Sequence, residues 1–147
     1  MRLEIEDSTN LLLNKSFGSW LIDEIQRVVK NSINESKLRP WDKFIKEEYE
    51  HLYSKKITGY DTIMYGLDNL VCDLVSNKLV IKISTNQFIP GLHRVRVDTL
   101  CRLINYGNTS IKGYPIFTDA FNIIADNIDI LAKEYLEGNL IDGSDIL

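Results

Sequence analysis

This chain of 147 residues holds few of the residues that carry catalytic and redox chemistry, with two cysteines, two histidines and three prolines. Two cysteines cannot build a disulfide framework, and Cys72 and Cys101 both sit in apolar segments where a reduced, buried thiol is expected. No apolar run approaches the roughly 18 to 20 residues of a membrane span. The first residues lack the charged region, apolar block and cleavage site of a secretory signal. A cytosolic protein, or a particle component assembled in the cytoplasm, is the expectation. Gly59, Gly66, Gly91, Gly107 and Gly113 stand singly, so neither common phosphate-binding glycine loop is present. His51 and His93 have no cysteine or carboxylate at metal-ligand spacing. Glu47, Glu48 and Glu50 fall around the polar side of a helix and read as solvated charges. Nothing nominates a nucleophile, a cofactor or a metal, and the chain is not expected to be an enzyme.

What is present is the make-up of one globular α+β domain. Hydrophobic residues are 44% and charged residues 26% of the chain, enough to bury a core and too apolar for general disorder. Residues 1–16 read as an N-terminal arm, alternating at Met1, Leu3 and Ile5 before Leu11, Leu12 and Leu13. Phe17, Trp20, Leu21, Ile25, Val28, Val29 and Ile33 follow helical spacing, with Ser16 as the cap. Pro40 suits the first position of a second helix with the stripe Trp41, Phe44, Ile45, Tyr49, Leu52 and Tyr53, closed by Thr58-Gly59. After Gly66 the period falls towards two. Leu70 to Val75 and Leu79 to Ser84 form a hairpin about Ser76-Asn77-Lys78, with Leu79, Ile81 and Ile83 on one side. A helical reading of Ile63, Leu67, Leu70, Val71 and Leu74 competes with it. Residues 86–97 read as a loop around Pro90-Gly91 ending in a short strand at Val95 to Val97, and Asp98 or Thr99 caps a brief helix through Ile104. A final helix from Thr118 presents Phe121, Ile124, Ala125, Ile128, Leu131, Ala132 and Tyr135 on one face and ends at Gly138. The domain is thus 17–138, with long N-terminal helices on a small antiparallel sheet and a C-terminal helix, and 139–147 is expected to be a flexible acidic tail.

Two features point towards function. The first is charge segregation. Residues 78–112 hold six cations against Asp98 alone, whereas residues 113–147 hold seven acids against Lys133. Opposite charge on different faces suits head-to-tail docking between copies; the alternative is scattered, solvated charge. Arg94 and Arg96 alternate with Val95 and Val97, so on a strand both arginines share a side, an arrangement that serves a subunit interface or a phosphate backbone. The second is the stretch from Leu103 to Phe121, where Gly107, Gly113 and Pro115 lie between two apolar-periodic segments. It reads as an assembly surface, although core packing is the expectation for Phe117 and Phe121.

The order of elements then becomes telling. It runs helix, Thr58-Gly59, Gly66-Leu67, hairpin, Leu103-Ile104-Asn105-Tyr106-Gly107-Asn108, and Pro115-Ile116-Phe117 with Ala120-Phe121 opening a last helix. Over roughly Trp41 to Ile128 this resembles the neck and tail-completion (head-tail joining) proteins of tailed bacteriophages. The chain departs at Asn105 and Asn108, where that family often carries Glu and Thr, and in a stretched spacing from Thr58-Gly59 to Leu67. The resemblance implies a structural virion protein without cofactor: a homo-oligomeric ring, of six or twelve copies, placed between portal or adaptor and tail, with DNA passing non-specifically through its channel and no membrane contact. Arg94, Arg96, Arg102, Tyr106, Lys112 and Tyr114 are the residues expected at a subunit interface or channel wall, with the arm reaching a neighbour. Thr58, Gly59, Gly107, Gly113, Pro115, Phe117 and Phe121 carry the structural motif. The competing expectation is a small nucleic-acid-binding regulator that uses the basic loop 93–102.

Overall fold

In a computed structural model, residues 1–6, 13–49 and 57–142 are described. The elements run β1 (Leu3–Glu6), α1 (Lys15–Ser32), a 3-10 turn (Glu35–Leu38), α2 (Arg39–Tyr49), α3 (Gly59–Asp68), β2 (Leu70–Val75), β3 (Lys78–Ile83), β4 (Phe88–Ile89), β5 (Leu92–Arg96), α4 (Val97–Tyr106), α5 (Ile116–Asp126) and α6 (Ile128–Asp142). The fold is α+β, as the patterning required.

A three-stranded antiparallel sheet in the order β1-β3-β2 forms one layer. Its inner face presents Leu3 and Ile5 from β1 and Leu79, Ile81 and Ile83 from β3, all buried, beneath α1, whose Phe17, Leu21, Ile25 and Val29 recur every four residues. The outer face is wet. There Lys78 bridges Glu4 at 3.6 Å and Glu6 at 3.7 Å, and Arg2 pairs with Glu4. One covered and one solvated face is the usual condition of a small antiparallel sheet. Helix α5 lies along α1 and β1, α6 on α1 and α5, and α3 against α4. Gly66 makes the last packing possible, since a Cβ there would come within 2.7 Å of the Cys101 sulfur and 2.9 Å of Phe117.

Several boundaries differ from the sequence expectation, each for a local reason. Leu3–Glu6 is an edge strand with two buried side chains, not an arm; its alternation is strand periodicity satisfied by β3. Asn14, not Ser16, caps α1, accepting from the Phe17 amide at 2.8 Å. Pro40 follows Arg39 as the second residue of α2, of whose expected stripe Trp41 and Ile45 are buried and Phe44 and Tyr49 partly so, while Leu52 and Tyr53 lie outside the described residues. Thr58 starts a helix instead of ending one: its hydroxyl accepts from the Asp61 amide and the Asp61 carboxylate accepts from the Thr58 amide, a complete capping box opening α3. The hairpin wins over the helical alternative from Leu70 onward. Its loop is the two residues Ser76 and Asn77, both at positive φ, which matches strand twist and leaves Lys78 paired with Val75.

The expected loop at 86–97 is a small β4-β5 ribbon turning on Pro90-Gly91, and Val97 begins α4 instead of ending a strand. Neither Asp98 nor Thr99 caps that helix; Arg96 holds the cap position without a side-chain bond, and Asp98 sits in the first turn. The final helix is two. Asn127 interrupts it with a φ of −113° and its side-chain amide donating to the Ile123 carbonyl, so Ala125, expected on the buried face, is exposed. Helix α6 passes through Gly138 to Asp142, and the remainder of the expected tail, 143–147, lies outside the described residues.

Candidate interaction surface

The basic segment is held on a packed base. In the ribbon, Ile89, Leu92 and Val95 are buried while Arg94 and Arg96 are exposed, and Phe88, half exposed, stands opposite Arg96 in register. The Val97 amide donates to the Gln87 carbonyl at 2.9 Å, so ribbon and helix are continuous. Helix α4 buries Val97, Leu100, Cys101 and Ile104 and exposes Thr99, Arg102 and Tyr106, which recur at three- and four-residue spacing on its outer face. Arg96 extends this row: its Nε and Nη2 each donate to the Thr99 hydroxyl at 3.3 Å, and Nε lies 3.4 Å from Asp98 Oδ1. That oxygen is buried and has no better partner, so Arg96 is held by a carboxylate that itself needs a cation. Lys112 pairs its backbone with Gly107 just past the row, and its exposed side chain lines a hollow with Tyr114. Beside the row, a cleft of about 170 Å³ gathers Arg2, Lys82 and Arg102 around Asp98. Tyr106, the most exposed large side chain on this surface at 58%, is not core.

The glycine-punctuated stretch next to it does something different. Gly107 has a φ of +80°, and a Cβ on it would sit 2.4 Å from the Gly113 nitrogen; a Cβ on Gly113 would sit 2.5 Å from the Tyr106 carbonyl carbon. The two glycines cross backbone on backbone, which no other residue permits. Asn108 closes the loop, its Oδ1 accepting from the amides of Ser110 and Ile111. Pro115 stands at the cap position of α5 and supplies no side-chain acceptor. Asn105 supplies it from α4: buried, it accepts from the amides of Phe117 and Thr118, both at 3.1 Å, and donates to the Thr118 hydroxyl at 2.7 Å. Phe117 and Phe121 are buried, as core packing requires. Tyr114, expected at an interface, is engaged within the chain. Its hydroxyl accepts from the Asn34 amide at 2.9 Å and donates to the Ser32 carbonyl at 3.4 Å, tying this stretch to the end of α1. The Leu103–Phe121 stretch is therefore an internal clamp.

Chemistry elsewhere is sparse. Among the described residues no group of three or more potential ligands could hold a metal ion. His51 and Glu50 lie outside them, His93 is on β5, and Glu47 and Glu48 are exposed on α2. Cys101 is buried and donates to the Thr62 carbonyl; burial pushes its thiol far above the usual range, and Asp98 adds to the effect. Burial also raises the half-buried Cys72 thiol, with Asp73 next. Neither is an activated nucleophile. No described helix is long and apolar enough to cross a membrane.

Of the residues singled out from sequence, Arg94, Arg96, Arg102 and Tyr106 are exposed on β5 and the outer face of α4, whereas Lys112 lines a hollow with Tyr114. Phe88 belongs with the first four and was missed; it was assigned to a loop, and only its register opposite Arg96 identifies it. Asn105 is legible in sequence as an Asn just ahead of a Gly-Pro-rich turn, but the helix it caps is not its own. No family model, curated protein or solved structure matches the chain.

Proposed function

We propose that this protein is a structural subunit that assembles with copies of itself, and that it serves as a ring of the tailed-bacteriophage neck, joining portal or adaptor to tail around a DNA channel. One observation carries the reading: exposed Phe88, Arg94, Arg96, Arg102 and Tyr106 over the buried residues of β5 and α4, and an acidic α6 with its exposed Asp129, Glu134 and Glu137. Arginine and aromatic side chains are the residues enriched at interfaces, and a basic surface facing an acidic one on the next copy gives a heterologous contact that closes into a ring when the rotation allows. The resemblance over Trp41 to Ile128 supplies the placement in a virion neck, and the α+β architecture agrees with it. Catalysis plays no part in this reading.

A second reading, a DNA-binding regulator, is favoured by the cleft in which Arg2, Lys82 and Arg102 converge. Native mass spectrometry of the purified protein, alone and with candidate portal and tail proteins at low and moderate salt, separates the two. A closed oligomer or a defined co-complex is the expected outcome. Arg94→Ala with Arg96→Ala should dissolve that assembly without changing DNA affinity. A monomer that joins no virion protein but captures DNA, with an affinity falling steeply with salt and weakened by the same pair, would overturn the ring.

A further inference from the structure

The cleft beside the basic row holds charge that assembly does not use. Its walls come from three places in the chain: Arg2 just ahead of β1, Lys82 and Thr85 at the end of β3 and just beyond it, and Asp98 and Arg102 one turn apart on α4. Arg2 pairs with Glu4, and Asp98 has Arg96 at 3.4 Å. Lys82 and Arg102 enter no ion pair among the described residues, which leaves two positive charges at the cleft without a carboxylate of their own. The start of α4 adds to their field, because Arg96 at the cap position gives the first amides of the helix no side-chain acceptor. At about 170 Å³ the space falls below the roughly 300 Å³ at which pockets for drug-sized ligands begin. It suits one small anion.

Asp98 decides which anion. Buried and bordering the cleft, it leaves its Oδ1 without a hydrogen bond. An ionised carboxylate can only accept, so it repels an oxyanion that brings no proton and welcomes one that does. Sulfate is fully ionised at neutral pH. Hydrogen phosphate keeps one P–O–H there, which can donate to the Asp98 carboxylate while the other oxygens accept from Lys82, Arg102 and the Thr85 hydroxyl. We infer that this cleft is a binding site for inorganic phosphate, held by Lys82 and Arg102 and selected over sulfate by Asp98. The two unmatched cations balance the double charge of hydrogen phosphate. A DNA phosphodiester carries no such proton, so the site differs in kind from a contact with the nucleic-acid backbone, and it does not depend on whether copies of the chain assemble.

The test is a titration of the full chain followed by its amide NMR shifts, in a buffer free of both oxyanions and at an ionic strength held constant with chloride. Phosphate should move the amides of Thr85, Asp98 and Arg102 saturably, and sulfate and dimethyl phosphate should bind more weakly by about tenfold or more. Lys82→Gln with Arg102→Gln should weaken phosphate binding by about tenfold or more. Asp98→Asn keeps the shape and gains a donor, so sulfate should then bind at least as tightly as phosphate, a gain that misfolding would not produce. If Asp98→Asn fails to fold, the ratio of phosphate to sulfate affinity in wild type and the loss of phosphate binding in Lys82→Gln alone carry the test. No saturable shift with phosphate, sulfate bound as tightly as phosphate by wild type, a preference unchanged in Asp98→Asn, or a phosphate affinity unchanged by the lysine and arginine substitutions overturns the inference. Dimethyl phosphate or a DNA duplex binding at these residues more tightly than phosphate also overturns it, and gives the cleft to the DNA-binding reading.

Discussion

Tyr106 and Tyr114 flank the same crossing of Gly107 and Gly113, and they have opposite fates. Tyr106, at the end of α4, is more than half exposed with its ring on the same helix face as Arg102, whereas the Tyr114 hydroxyl is hydrogen-bonded at the end of α1. The difference extends to the regions around them. Between Asn105 and Thr118 the side chains of Asn105, Asn108, Tyr114 and Thr118 are answered within the chain, through the Asn105 cap, the Asn108 turn and the Tyr114 tie. Between Phe88 and Tyr106, Ile89, Leu92, Val95, Val97, Leu100 and Ile104 are buried, while Phe88, Tyr106 and the cations are left in solvent, apart from Arg96 over Asp98. A polar group satisfied internally contributes to the fold, and one left outside is available for a partner. The contrast locates a clamp and, next to it, the surface the clamp holds in place.

The strongest way to break this contrast is Gly107→Ala. Its Cβ would meet two backbone atoms, the Gly113 nitrogen and the Ile111 oxygen, at 2.4 and 2.6 Å, and its φ of +80° is strained for any side chain. A loss of about 3 kcal/mol or more is expected in chemical denaturation. A loss below about 1 kcal/mol would mean that the crossing yields and is not a clamp. Asn105→Ala comes next. It removes the acceptor for two amides at the start of α5 and should cost about 2 kcal/mol, with Asn105→Asp recovering part of it because a carboxylate still accepts at a helix N-terminus. Equal stability of the Ala and Asp variants would show that capping is not the role of Asn105.

The smallest effect sharpens the comparison most directly. Tyr114→Phe loses the two hydrogen bonds of its hydroxyl and should cost about 1 kcal/mol, while Tyr106→Phe, at an exposed ring, should stay within about 0.5 kcal/mol. Similar losses from the two, read as shifts in the denaturation midpoint at constant slope, would erase the distinction between tie and surface.

Much of this was readable in the residues themselves. The four-residue spacing of Phe17, Leu21, Ile25 and Val29 dictated α1, and the alternation of Leu79, Ile81 and Ile83 dictated the buried face of β3, because burial of a regular element imposes its own period. The separation of Arg94 and Arg96 from Val95 was legible for the same reason. What escaped were features whose cause lies elsewhere in the chain. Leu3 and Ile5 looked like an arm because their partner β3 comes more than seventy residues later. Thr58-Gly59 looked like a helix end because glycine follows so many helices, yet the Asp61 carboxylate turns Thr58 into a start. Asn105 looked like a departure from a family pattern when it is the cap of α5.

The sequence alone determined the α+β class, the periodic faces that build the core, and the unequal division of charge along the chain, since each follows from local spacing and composition. Only the tertiary structure decided which members of the Leu103–Phe121 stretch turn inward, that Phe88 stands beside Arg96, and that Lys82 and Arg102 border one cleft with Asp98. Those outcomes depend on long-range register and close backbone approach, set by the packing of elements far apart in sequence.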